Sequence, residues 1–396
     1  MRIAERMSRL GTETAFEVLA AARLLEAQGR DVVHLEIGEP DFPTPEFIVE
    51  AAYRALREGQ THYGPAAGLP DLREAIAEHV SRTRQVEVSP EQVVVTPGAK
   101  PIIFYSVLAL IEAGDEVLIP DPGFPIYESV VRFVRGTPVM VPLREQLGFR
   151  WDLDELRAAV TPRTRMIILN SPHNPTGAVL TEEDLHGIAE LALRHDLIVL
   201  ADEIYSEILY EGTHRSILSI PGMAERTILL DGFSKTFAMT GWRLGYGVLP
   251  VALAPHVVRL IINSVSCTAT FVQWAGLAAL RGPRDEVRQM VEAFRKRRDF
   301  IVDGLNRIEG ITCHRPQGAF YVFPNVQALG LRSGTLATKL LREYGVAVLS
   351  GTAFGAAGEG YLRISYAASM ETLQKGLERI RQAAQDLRTR RASAAS

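Results

Sequence analysis

The chain has 396 residues, 43 basic and 47 acidic, a net charge of -4, and is 47% hydrophobic and 23% charged. That length exceeds one simple core and implies about two or three domains, and the composition is that of a soluble globular protein, not a disordered or collagen-like one. The small negative charge is spread along the sequence and gives no broad attraction for nucleic acid or an anionic membrane, so small molecules are the expected partners.

Cys267 and Cys313 show no spacing motif and are expected to stay reduced, as in a cytoplasmic protein. The opening MRIAERMSRLG has no apolar leader segment, and no stretch approaches the ~18 uninterrupted apolar residues of a spanning helix. The histidines show no metal-ligand spacing, so no metal is expected, and His186 and His195 belong on a solvated helix face.

The first forty or so residues are too few for a domain, and residues 1–44 are expected to form an arm and part of a smaller unit. From about Gln92, β-branched runs (QVVVTPG, EVLIPD, TPVMVP, RMIILNSP, LIVLADEIY, TILLDGFSK, RLGYGVLP) alternate with helical patterns such as TEEDLHGIAELALRH. Runs apolar on both faces require a sheet covered by helices on both sides, so residues 45–283 are read as an α/β domain with a mostly parallel mixed sheet. After residue 283 the pattern changes to a long charged helix around EVRQMVEAFRKRRDFIVDGLNRI, then GAFYVFPN, a helix, GVAVLSG, GYLRISYA and an amphipathic helix from Ser369. Residues 284–396 are therefore expected to form a smaller α+β domain, with GTAFGAAGEG as a loop and RTRRASAAS as a frayed end.

In open α/β sheets ligands gather at the carboxyl ends of strands. The residues there are polar: Gly98-Ala99-Lys100 opening a helix, Asn174-Pro175-Thr176-Gly177, Asp202 and Tyr205, Ser234 and Lys235, with Arg243 one short loop on. A helix start with free N–H groups attracts an anion, and Ser234 and Arg243 complete a phosphate cradle. The sequence has no P-loop, and Gly245/Gly247 lack the rest of a dinucleotide fingerprint. These ends suit a small phosphorylated cofactor that needs a lysine.

The segment SKTFAMTGWRLGY, with matches from GEPDFPTP at Gly38 to YLRISYA, resembles the class I aminotransferases, which use pyridoxal 5'-phosphate in fold type I, and is most similar to their prokaryotic aspartate and aromatic subgroup. The resemblance implies that Lys235 bonds covalently to the cofactor and carries the proton at the substrate Cα, while Asp202 pairs with the pyridine nitrogen. Asn174 and Tyr205 match the groups that hydrogen-bond the phenolic oxygen, and Phe124 matches the aromatic stacked on the ring. Ala99 and Lys100 lend backbone N–H groups to the phosphate beside Ser234 and Arg243. Tyr63, in THYGPAAG, matches a tyrosine that reaches the phosphate of the partner subunit, which implies a homodimer. Arg363 matches the arginine that grips the substrate α-carboxylate in a fork, with Gly38 supplying backbone beside it.

Several positions depart from the family's pattern. Gly232 stands where some relatives have a phosphate-binding hydroxyl, and Pro101 replaces a commonly seen glutamine. Ile262 falls where the dicarboxylate-specific branch has an arginine from the neighbouring subunit. Lys100, however, matches a lysine that in the prokaryotic subgroup reads a side-chain carboxylate across the interface, with Thr12 and Thr14 near the matching N-terminal positions. His173 adjoins Asn174 and is a candidate wall of the site, whereas Trp242 reads as core packing. The expected reaction is ping-pong transfer of an amino group between an L-amino acid and a 2-oxo acid, with aspartate or aromatic substrates. The same residues would also serve a C–S β-lyase of this fold. A PLP-sensing regulator would need a DNA-binding domain for which no room precedes VVHLEIGEPDF.

Overall fold

The apolar runs pair into one eight-stranded sheet in this computed structural model, which describes the backbone of residues 1–395 and the side chains of 1–389. In chain order the strands are β1 (Val93–Thr96), β2 (Glu116–Asp121), β3 (Thr137–Arg144), β4 (Arg150–Trp151), β5 (Thr164–Asn170), β6 (Ile198–Asp202), β7 (Thr227–Gly232) and β8 (Gly245–Val248). Their order across the sheet is β1-β8-β7-β6-β5-β2-β3-β4. Pairing is parallel from β7 through β3, while β8 runs against both its neighbours and β4 against β3.

Period-2 side-chain alternation explains why these strands are apolar throughout. In β5, Met166 and Ile168 join one buried cluster while Ile167 and Leu169 join another on the opposite face. Each face is closed by helices. The helix Glu182–Arg194 starts at a capping box, in which Thr181 Oγ1 accepts from the Asp184 N–H (3.2 Å) and Asp184 Oδ2 accepts from the Thr181 N–H (2.7 Å). It lays Leu185, Ile188, Leu191 and Ala192 against Ile167, Leu169 and Val199. Its large side chains each contribute about 1.5–3 kcal/mol by burial, offsetting the cost of ordering the helix.

Both ends of the chain build the smaller sheets. Val33–His34 pairs in parallel with Val346–Ala347, and Leu362–Ser365 lies between Tyr321–Val322 and Leu349–Ser350 in an antiparallel trio. The helices Asp285–Asn306 and Met370–Ala395 pack beside them. The stretch expected to fray instead continues the last helix to Ala395, in keeping with the good helix propensity of its arginines and alanines; Ser396 lies outside the described residues. Gly351–Phe354 and Ala356–Gly358 form two 3-10 turns held to the main sheet, where the Gly123 N–H donates to the Phe354 carbonyl (2.7 Å) and the Ala357 N–H to Asp121 Oδ1 (3.1 Å). Among the described residues no helix is long and apolar enough to cross a membrane, and no cluster of metal-ligating side chains occurs.

Candidate active site

The parallel strands β5, β6 and β7 end on the same edge of the sheet, and the antiparallel β8 begins there. This brings Asn174, Asp202 with Tyr205, Ser234 with Lys235, and Arg243 to one cavity of about 440 Å³, with Ala99 and Lys100 entering from the end of β1. Phe124, following β2, Gly38 from the N-terminal segment and Arg363 from the small antiparallel sheet close it. Tyr63 is the exception: it is 89% exposed and does not line its own chain's cavity.

The helix Lys100–Leu110 opens at this edge with Pro101 in its first turn, where a missing N–H is not needed. Gly98 precedes it with φ +82°, and a Cβ there would lie 2.1 Å from Arg243 Nη2. Only glycine allows that approach of guanidinium and backbone. Arg243 itself is exposed and donates through Nη1 to the Thr240 carbonyl (2.7 Å), leaving Nη2 beside the helix start.

Lys235 is half-buried, and its ammonium donates to the Gly38 carbonyl at 2.6 Å, 6.0 Å from the centre of the Tyr205 ring. Burial pushes its pKa down to about 8; Glu39 opposes this, and Lys100, Arg363 and Arg243 add to it. Asp202 is 5% exposed and is pushed up to about 6 by burial, against hydrogen bonds from the Tyr127 hydroxyl (2.7 Å) and the Ile204 N–H (3.2 Å). Among the described residues no cation bonds this carboxylate, which leaves it suited to a cationic ligand atom.

Arg363 is buried, and burial lowers its pKa. Its Nη1 donates to Asn174 Oδ1 (3.3 Å) and its Nη2 to the Glu36 carbonyl, while Nε has no partner among the described residues. The guanidinium lies 4.6 Å from the centre of the Tyr321 ring and 5.1 Å from that of Phe354. A buried donor without a partner, flanked by aromatic faces, is suited to a planar carboxylate. At Gly38 a Cβ would stand 2.0 Å from the Tyr321 hydroxyl, so a side chain there would displace the tyrosine.

Sequence reasoning passed over several lining residues. Tyr127 holds Asp202, Tyr321 shares a 2.8 Å hydrogen bond with the Tyr205 hydroxyl, and Asn170 accepts from the Asn174 N–H (2.8 Å) while donating to the Asp202 carbonyl (3.0 Å). At the N-terminal end Glu13, Ala15 and Phe16 line the cavity, and the expected Thr12 and Thr14 do not. The chain is extended at Glu13 before the helix Thr14–Glu26 begins, so adjacent side chains diverge, and Thr12 bonds Glu17 instead.

His173 is not part of this cavity. A turn closed by the Gly177 N–H on the His173 carbonyl (2.7 Å) sends its ring toward a separate small cavity beside Trp151 and Leu169. There Nδ1 bonds Thr176 Oγ1 (2.8 Å), and burial pushes the ring down to about 3, hence neutral. Trp242 packs against the core and donates to Thr44 Oγ1 (2.9 Å). Behind the site, the nearly inaccessible Arg84 bonds Glu203 (2.9 Å) and Asp231 (2.8 Å), the residue after Asp202 and a residue near the end of β7; His214 also bonds Glu203 (2.8 Å).

The pattern that describes "Aminotransferase class I and II" matches residues 30–380. An aspartate aminotransferase of Pyrococcus abyssi is 45% identical over 89% of this chain and 91% of its own length. An aromatic-amino-acid aminotransferase of Thermococcus litoralis is 44% identical over 89% of this chain and 92% of its own. Among solved structures, the aspartate aminotransferase from Thermus thermophilus with maleate superimposes with a TM-score of 0.93 at 41% identity, covering 97% of this chain and all of that one. With a family match over most of its length and relatives above 40% identity, this chain belongs to the class I and II aminotransferases.

Proposed function

We propose that this aminotransferase acts through pyridoxal 5'-phosphate, exchanging the amino group of an L-amino acid with a 2-oxo acid by alternating half-reactions at one site. The observation that carries this reading is geometric: the Lys235 amine and the buried Asp202 carboxylate line one cavity with Ser234, Arg243 and Arg363, and burial pushes the lysine down and the carboxyl up, each toward its neutral form. The donor set fits the cofactor: a helix N-terminus, Ser234 and Arg243 suit a phosphate, and Asp202 suits a protonated ring nitrogen. When bound, the cofactor supplies an aldehyde for amine exchange and a ring that withdraws electrons from the bond being broken.

The residues around it have separable tasks. Lys235, with an appreciable neutral fraction near pH 8, is the amine that holds the cofactor and then moves the proton at the substrate Cα. Asp202, kept in place by the Tyr127 hydroxyl, balances the ring's positive charge. Tyr205 and Asn174 would hydrogen-bond the phenolic oxygen, and Phe124 would offer its face to the ring. Arg363 binds the α-carboxylate with Nε and an Nη, while Tyr321 and Phe354 keep water off its faces. We also place the protein in the cytoplasm as a homodimer, in which the exposed Tyr63 completes the partner's phosphate site. The larger unit of residues 45–283 then carries the cofactor, and the smaller one of 1–44 and 284–396 the carboxylate grip.

Borohydride reduction of the holoprotein followed by peptide mapping tests the reading. A pyridoxyl adduct is expected on Lys235 and on no other lysine, and an unmodified Lys235 peptide refutes it.

A further inference from the structure

Four cations line the cavity: Lys100, Lys235, Arg243 and Arg363. Under the aminotransferase reading, on which the proposal rests, Lys235 and Arg243 serve the cofactor and Arg363 the substrate α-carboxylate. Lys100 alone remains for a second carboxylate on the substrate, and its charge is already taken. Its ammonium forms an ion pair with Glu13, a side chain that lines the same cavity, and lies 5.1 Å from the centre of the Phe124 ring. The two side chains are 41% and 26% exposed, so the pair is partly withdrawn from water and is not a fully screened surface contact.

Glu13 also faces the substrate grip. Its charge is near enough to act on both Arg363 and Tyr321, as a minor contribution beside the burial of each. The residues beside Glu13 on that wall, Ala15, Phe16 and Ile37, are apolar, and Phe16 is 61% exposed toward solvent.

We propose that Glu13 is a specificity-determining residue: by neutralising Lys100 it turns the site away from dicarboxylic substrates and toward amino and 2-oxo acids with bulky, uncharged apolar side chains, aromatic ones included. A distal carboxylate entering the site has to displace Glu13 from Lys100 or remain unpaired beside it, and either outcome weakens binding. An apolar side chain leaves the pair intact and covers Phe16 and Ile37, gaining by burial.

The test is isothermal titration calorimetry of the holoenzyme at neutral pH with two unreactive acids, succinate and 3-phenylpropionate, each offering Arg363 one carboxylate. Wild type is expected to bind 3-phenylpropionate about tenfold tighter than succinate or better, a comparison that needs no variant. Glu13→Gln is expected to move the ratio about tenfold toward succinate, and adding Lys100→Met to Glu13→Gln to abolish that gain. Far-UV circular dichroism and cofactor absorbance check that both variants are folded and loaded. Succinate binding as tightly as 3-phenylpropionate to wild type, or a ratio that Glu13→Gln moves less than about threefold, overturns the proposal and leaves the aminotransferase site standing. Binding of 3-phenylpropionate without succinate to every protein overturns the proposal alone, and binding of neither acid to any of them overturns the carboxylate grip assigned to Arg363 as well.

Discussion

Replacing Asp202 by asparagine keeps the shape of the side chain and removes its charge; the amide oxygen can still accept from the Ile204 N–H, and the Tyr127 hydroxyl can turn to accept from the new NH2 group. In the cofactor-free protein this carboxyl titrates at about 6, pushed there chiefly by burial, against 3.8 for an exposed aspartate. Between those values the folded chain holds a proton that the unfolded chain has released, so wild-type stability falls as pH rises through that interval. The cost grows from about 1–2 kcal/mol at pH 5 to about 3 kcal/mol at pH 8. Cofactor-free Asp202→Asn should therefore unfold at higher urea concentration than wild type at pH 8, with a smaller gain at pH 5. The holoproteins should reverse the order, because the wild-type carboxylate recovers its cost against a protonated ring that asparagine cannot balance. A cofactor-free variant no more stable than wild type at pH 8, or a gain equal at both pH values, would show that Asp202 is not a strained anion.

Arg363→Lys should lose a planar, two-point grip and leave the Asn174 oxygen with a poorer donor. The expected cost is about 2 kcal/mol, roughly thirtyfold in kcat/KM carried mainly by KM, measured with a series of amino acids. Arg84→Met should destabilise the protein by about 3–5 kcal/mol by leaving the buried Asp231 without its cation and Glu203 with His214 alone, read by urea unfolding. Glu203, which burial would raise, is held down to about 2 by His214 and Arg84. That lowered value contributes stability present above its unfolded pKa of 4.5 and lost as pH falls through about 2, so the damage in Arg84→Met should be as large at pH 5 as at pH 8 and shrink below about pH 4.5.

The strand ends were readable because a sheet buried on both faces confines polar residues to its edges, where Asn174, Asp202, Lys235 and Arg243 stand out against apolar runs. Tyr127 and Tyr321 were not readable: within a buried helix and a two-residue strand, each looks like any core aromatic until its hydroxyl partner is known. Glu13 was missed for a local reason, since the neighbouring threonines carry the more suggestive hydroxyls and only the extended backbone before the helix decides which side chain faces inward. Arg84 closes an exposed-looking helix sequence, and nothing local announces that its partners lie more than a hundred residues away. The short strands at Val33 and Val346 are equally silent, because each acquires its pairing from the opposite end of the chain.

That last pairing also orders events during synthesis. Strands β1 to β8, with Lys235 and Asp202, can leave the ribosome and assemble while the segment bearing Arg363 is still untranslated. Gly38, whose carbonyl meets Lys235, has emerged early but is anchored through Leu35 by the Ala347 carbonyl and the Ser365 N–H, both late to arrive. A nascent chain can thus own every group its own cavity offers the cofactor and still have no handle for an amino acid, so the half-made enzyme would not turn over until its final strands dock.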